Sequence, residues 1–331
     1  MLQQLIGSRG RGALLVTAVV GVALFAGGLQ LVPVSAQTLT LEAARAPEGI
    51  SAEAPWDRLW ELAPRQEVPL SSQQIALPFG GGSVTALTAR ALQDGTRLYL
   101  LLEWADAEAD DAVNGVAEFS DAAAVQFPSI AGSEPPFTMG APGQPVNIWQ
   151  WKAVWQADLA GGFTTSQDRY PNTLVDGYLN GDDPLYKTAL AAGNPLAQRD
   201  HDSPIENLLS EGFGTLTHAA LQDVAGAGEW RDGRWRALFV RALEPADGDY
   251  ASFAVGTSTS VAFAVWEGAA DDRNGQKSIA PFIELKIGDA DVAARGRFGA
   301  EQVLIIIVIA LSGAAVAAFL YASARSNARA A

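Results

Sequence analysis

Two scarce residues draw attention first. Met139, in "EPPFTMG", is the only methionine after the initiator, and Lys277, in "DDRNGQKSIA", is one of four lysines. On residue type alone an isolated methionine fills a gap in a core. A lysine among Asp, Asn and Gly reads as an exposed turn. His201 and His218 are the only histidines, too few for a His-rich zinc or copper site. No cysteine is present, which removes disulfides, thiolate zinc sites, iron–sulfur clusters and covalent haem attachment together. Any cofactor must therefore be held without thiolate.

The elements that must position these residues come from a chain of 331 residues that is about half apolar, enough for a full core. A formal charge of −15 excludes a nucleic-acid binder, because no basic stripe is available to neutralise phosphates. No nucleophile elbow, phosphate loop, dinucleotide fingerprint or His-Glu-x-x-His occurs. The three glycines of "LPFGGGSV" lack the lysine and helix context of a phosphate loop.

Both ends are expected at a membrane. Arg9 and Arg11 precede a long uncharged run ending in Val34 and Ala36, small residues suited to cleavage before Gln37. Residues 1–36 thus read as a signal peptide, with an uncleaved anchor as the other reading of so long a run. Residues 303–322, "VLIIIVIALSGAAVAAFLYA", carry no charge and are followed by Arg325 and Arg329. They are expected to form a transmembrane helix, reached through a linker at 288–302, with 323–331 as a cytoplasmic tail and 37–287 on the extracytoplasmic side.

Between these ends the apolar period is two. In "NIWQWKAVWQ", Trp149, Trp151, Ala153 and Trp155 fall on one face, while Gln150, Lys152 and Gln156 fall on the other, which predicts a half-buried strand. Residues 96–104, 233–243, 260–268 and 281–287 behave similarly, and "LQDGTRLYL" and "WRDGRWRAL" carry hairpin Asp-Gly pairs. The expected fold class is all-β, an antiparallel sandwich. Residues 157–228, rich in Gly, Asp, Asn and Pro, are expected to form an irregular insertion suited to partner contact. One short helix is expected near "SPIENLLSEG", with Ser203 as cap and Pro204 in its first turn.

The strings "DAAAVQFP", "PFTMG", "VNIWQWKAVW", "GFGTLT", "GEWRDGRWRALFVRAL" and "VAFAVWEGAADDRNGQKSIAPFIEL" occur in this order between 121 and 285. In combination they resemble the haem b-binding γ subunits of periplasmic molybdoenzymes of the type II dimethyl sulfoxide reductase group. That group includes the ethylbenzene, dimethyl sulfide, selenate and chlorate enzymes. The resemblance implies a β-sandwich holding one non-covalent haem b, with Met139 and Lys277 as axial ligands of the iron. It implies an electron-transfer role, with an iron–sulfur β subunit and a molybdopterin α subunit as partners and a cytochrome c or membrane carrier beyond. It would make Lys277 a ligand, not a turn lysine. Neutralising a lysine of ordinary pKa at pH 7 costs about 4–5 kcal/mol, which burial and the iron bond must together exceed. Lys152, His201 and His218 are the rival nitrogens. Two other classes stay open at this point: a tethered carbohydrate- or ligand-binding sandwich without haem, marked by exposed tryptophans, and a stand-alone haem redox module.

Overall fold

The computed structural model describes residues 39–46, 54–113, 115, 117–162, 170–172, 194, 201–246, 248 and 250–291. All lie in the second of two units into which the chain divides, the one beginning at Leu39. Segments 1–36, 303–322 and 323–331, with most of the linker, fall outside the described residues. Among those described, no helix is long and apolar enough to cross a membrane.

The strands are β1 (Thr40–Arg45), β2 (Arg65–Pro69), β3 (Ser71–Ser72), β4 (Ala86–Gln93), β5 (Arg97–Ala105), β6 (Ala122–Pro128) and β7 (Val146–Lys152). After helix α1 (Ala153–Gly161) come β8 (Ile205–Ser210), β9 (Thr217–His218), β10 (Ala225–Trp230), β11 (Arg234–Ala242), β12 (Ser258–Trp266), β13 (Ser278–Ile279) and β14 (Ile283–Asp291). One sheet runs β10-β11-β5-β4-β1-β14, and the other runs β12-β6-β7-β8-β9. β12 joins them: Ser258–Val261 pair with β14, and Ala262–Trp266 pair with β6. The result is sandwich-like but not wholly antiparallel, because β1 is parallel to both β14 and β4. Those two neighbours run the same way, so a strand laid between them must match both or oppose both.

The Asp-Gly hairpins form as read. Asp94 accepts the N–H groups of Thr96 and Arg97 at 2.8 and 2.7 Å between β4 and β5. Between β10 and β11, Asp232 and Gly233 have φ of 52° and 77°, the paired positive values of a hairpin turn that follows strand twist.

Strand alternation sends Trp149 and Trp151 inward, where both are fully buried. Trp151 meets Trp235 at 4.8 Å and Trp104 at 6.0 Å between ring centroids. It also lies flush on Gly228, where a Cβ would stand 2.1 Å from its ring. Phe127, Trp149 and Phe253 form a second aromatic group, over which the buried Arg241 guanidinium lies 4.7 Å from the Trp149 ring.

Two expectations fail locally. The strand predicted through Trp155 ends at Lys152, and residues 153–161 turn helical. Ala, Leu and Gln in "AVWQADLAG" favour a helix once the ladder with β6 stops at Ala122. The predicted helix at Ser203 is strand β8, paired with β7 from Ile205 to Ser210. Ser203 does cap locally, accepting the Ile205 N–H at 3.2 Å, but its hydroxyl donates to the Val224 carbonyl and fixes a strand entry. The stretch 157–228 is thus narrower as irregular chain, since it holds the end of α1, all of β8 and β9 and the start of β10.

Candidate functional site

The face of the second sheet that turns away from the core mixes apolar and polar residues. Ala122 and Ala124 on β6, Ile148 on β7, Leu208 on β8 and Trp266 on β12 form a separate apolar cluster there, with Met139 and Ala264 packed on it. Gln150 and Lys152, expected opposite the tryptophans, lie on this face. They line a cavity of about 520 Å³, within the range of cofactor and ligand sites. The loops bearing Met139, Phe213 and Lys277 complete its walls.

Met139 is held in the left-handed region at φ 71°, uncommon for a bulky side chain and costing about 1–3 kcal/mol. Its backbone is pinned on both sides. Gly140 N–H donates to the Pro136 carbonyl at 2.9 Å, and the Met139 carbonyl accepts the Gly212 N–H at 2.7 Å. The strained turn aims the thioether into the cavity.

Lys277 ends the loop that follows β12. Asp271 and Asn274 take positive φ in that loop, and the Trp266 indole donates to the Asn274 carbonyl at 3.1 Å. The next residue, Ser278, opens β13, clamped between β12 and β3. Lys277 is therefore not the exposed turn lysine its neighbours suggest. Its Nζ lies 3.9 Å from Met139 Sδ and 4.8 Å from the Trp266 ring centroid. No carboxylate pairs with it among the described residues, and burial alone pushes its pKa down to about 8. Much of the cost of a neutral amine is thus met by the fold.

The rival nitrogens are engaged elsewhere. Lys152 forms a close ion pair with Glu206 Oε2 and lies 3.9 Å from the Trp155 ring centroid. Burial lowers its pKa and Glu206 opposes that. His218 Nδ1 meets Glu206 Oε1 at 2.8 Å. His201 stacks on Trp155 at 4.0 Å. Lys152 and His218 border the cavity through a shared carboxylate, so they are placed to meet a polar edge of whatever fills it.

The donor set suits a metal held by one sulfur and one nitrogen. By the yardstick of zinc bonds, about 2.0 Å to nitrogen and 2.3 Å to sulfur, two donors facing each other across an ion stand roughly 4.3 Å apart. The Met139–Lys277 separation is 3.9 Å, and the floor beside them is alanine, isoleucine and leucine. A metal-centred cofactor with a largely apolar face fits these residues. Glu206, Trp266 and Phe213, which complete the site, were not singled out from sequence as site residues. Phe213 and Trp266 did lie within the strings that carry the family resemblance.

The molecule is thus a two-sheet β domain with a cavity on one outer face, inside which a thioether and an amine meet. Residues 57–278 match the model of the ethylbenzene dehydrogenase family, and the chain belongs to that family. The "Putative respiratory nitrate reductase heme subunit ORF7" of Haloferax mediterranei is 29% identical over 237 residues, covering 71% of this chain and 68% of that protein. The chlorate reductase subunit gamma of Ideonella dechloratans is 25% identical over 236 residues, covering 70% and 77%. Among solved structures, a family 9 carbohydrate binding module from Caldicellulosiruptor kristjanssonii, in complex with glucose, aligns over 76% of this chain and 96% of its own, with TM-score 0.38 and 10% identity.

Proposed function

We propose that this chain is a haem b electron-transfer subunit of an extracytoplasmic molybdopterin oxidoreductase, with Met139 and Lys277 as the axial ligands. The observation that carries the reading is the 3.9 Å approach of Met139 Sδ to Lys277 Nζ inside the cavity. The names of the two curated relatives, a heme subunit and a chlorate reductase gamma subunit, support the cofactor and the role. In this reading an iron–sulfur subunit and a molybdopterin subunit are partners, substrate chemistry occurs on the latter, and residues 303–322 anchor the domain near a cytochrome c or membrane carrier.

Haem held by Met139 and Lys277 would supply a one-electron couple, whose potential the methionine would raise. The chain's own residues do the rest. Burial of Lys277 without a carboxylate partner favours the neutral amine that can coordinate. The pinned Met139 backbone orients the thioether, and Trp266 and Ile148 exclude water from the ligand pair. Lys152 and His218, joined through Glu206, offer polar contacts at the cavity wall.

The haem-free binding module has a specific mark against it. All nine tryptophans lie among the described residues and none is exposed, so the exposed tryptophans expected of a carbohydrate binder are not found. A visible spectrum of the purified protein decides: a low-spin haem b spectrum supports the proposal, and protein isolated without haem from haem-replete cells overturns it.

A further inference from the structure

Away from the cavity, three carboxyl groups converge at one end of the sandwich. Asp106 follows β5, Asp121 precedes β6 and Glu267 follows β12, so both sheets contribute. One oxygen from each lies within 4.8 Å of the other two. Asp121 is fully buried and already oriented: Oδ1 accepts the Gly268 N–H at 2.8 Å, and Oδ2 accepts the Trp235 indole at 2.9 Å and the Asp110 N–H at 2.7 Å.

Asp106 supplies the observation that points to a ligand. It is only 5% exposed, its Oδ1 accepts the Glu108 N–H at 3.1 Å, and its Oδ2 has no hydrogen-bond partner. A buried carboxylate oxygen without a donor costs several kcal/mol unless something compensates it. Among the described residues no lysine or arginine forms an ion pair with Asp106, Asp121 or Glu267. The neighbour Asp110 adds another carboxyl, with its own buried Oδ2 unpartnered.

We propose that Asp106, Asp121 and Glu267 form a calcium-binding site that ties the ends of β5, β6 and β12 together. All the donors are hard oxygens, which select Ca²⁺ or Mg²⁺ over softer-ligand metals. Two oxygens at about 2.4 Å from one Ca²⁺ stand at most about 4.8 Å apart, whereas Mg²⁺ at about 2.1 Å draws them within about 4.2 Å. The three oxygens lie within 4.8 Å of one another, a span that one Ca²⁺ can bridge. The site is distinct from the cavity but shares an element with it, since Glu267 roots the loop that ends in Lys277.

The test uses the full-length protein with its haem, treated with chelator and freed of it. Calcium is titrated calorimetrically, and terbium(III) luminescence, excited through Trp235 and Trp230, reports on the same position. The expected result is one calcium per chain, sensitised terbium emission displaced by calcium, and at least tenfold weaker calcium binding in both Glu267→Gln and Asp106→Asn. Glu211→Gln, at an exposed acid elsewhere, should bind as the wild type does. Absence of calcium and terbium binding by the wild-type protein at millimolar concentration overturns the proposal and leaves a proton-sharing carboxyl cluster. Unaltered binding in both cluster variants, with circular dichroism like the wild type, also overturns it.

Discussion

Gly81 lies against the backbone of Lys277 so closely that a Cβ at Gly81 would stand 2.1 Å from the Lys277 carbonyl carbon. Gly81 has φ of +81°, so a side chain there would be disfavoured by conformation as well as by contact. The glycine run of "LPFGGGSV" is thereby explained as the packing surface that seats the lysine. Gly81→Ala should shift Lys277 without altering its side chain. The expected outcome is a mixed-spin haem spectrum with Met139 and Lys277 both intact in sequence, read by absorption and electron paramagnetic resonance. A wild-type spectrum would separate the glycine from ligand placement.

If Met139 and Lys277 hold the iron as proposed, removing each singly should open a coordination position. Met139→Ala should give a high-spin component and a lower potential, because the thioether stabilises ferrous iron. Lys277→Ala should give a high-spin component of its own. Lys152→Ala, His201→Ala and His218→Ala should keep the wild-type spin state, since all three side chains are engaged with Glu206 or Trp155. High-spin haem in His218→Ala alone would transfer the nitrogen ligand to that residue.

Acid should act through Lys277. A thioether gains no proton at ordinary pH, whereas protonation displaces an amine from iron, so the lysine should leave first as pH falls. The haem-free protein should show the converse side of the same burial. With its pKa lowered to about 8 in the fold, Lys277 holds fewer protons when folded than when unfolded between about pH 8 and 10.5. Stability should therefore rise with pH across that window, and the full penalty, up to about 3 kcal/mol, is present below it. Lys277→Met should remove the penalty and make the haem-free protein more stable at pH 7 by about 1–3 kcal/mol in urea unfolding. An equal or lower midpoint would contradict the half-buried, unpaired amine.

Much of this architecture was legible because strands with one buried face announce themselves by alternation, as at Trp149 and Trp151. The Asp-Gly pairs fixed their hairpins locally. Where tertiary pairing overrode local preference, reading failed: Ser203 and Pro204 look like a helix start, yet β7 captures Ile205–Ser210 as a strand. Lys277 looked exposed because its chain neighbours are polar, while the groups that bury it, Met139 and Trp266, are separated from it in sequence or hidden by a turn. The carboxyl cluster was invisible for the same reason, its members standing at the ends of three strands.

Topology is testable without the cofactor. From Arg9 and Arg11 before the first apolar run and Arg325 and Arg329 after the last, protease added to intact spheroplasts should digest the 37–300 region and spare an epitope placed after Ala331. Protection of the domain would reverse the orientation. If the leader is removed, amino-terminal sequencing should begin at or near Gln37.

The cavity occupies the outer face of the second sheet, while the aromatic groups around Trp151 and Trp149 fill the space between the sheets. Under the haem proposal, maturation should therefore be staged, with the core between the sheets packing from the chain's own side chains and the cofactor entering an outer face afterwards. A cell starved of haem should then accumulate folded, empty subunits ready for later loading, which proteolysis of the haem-free protein would check.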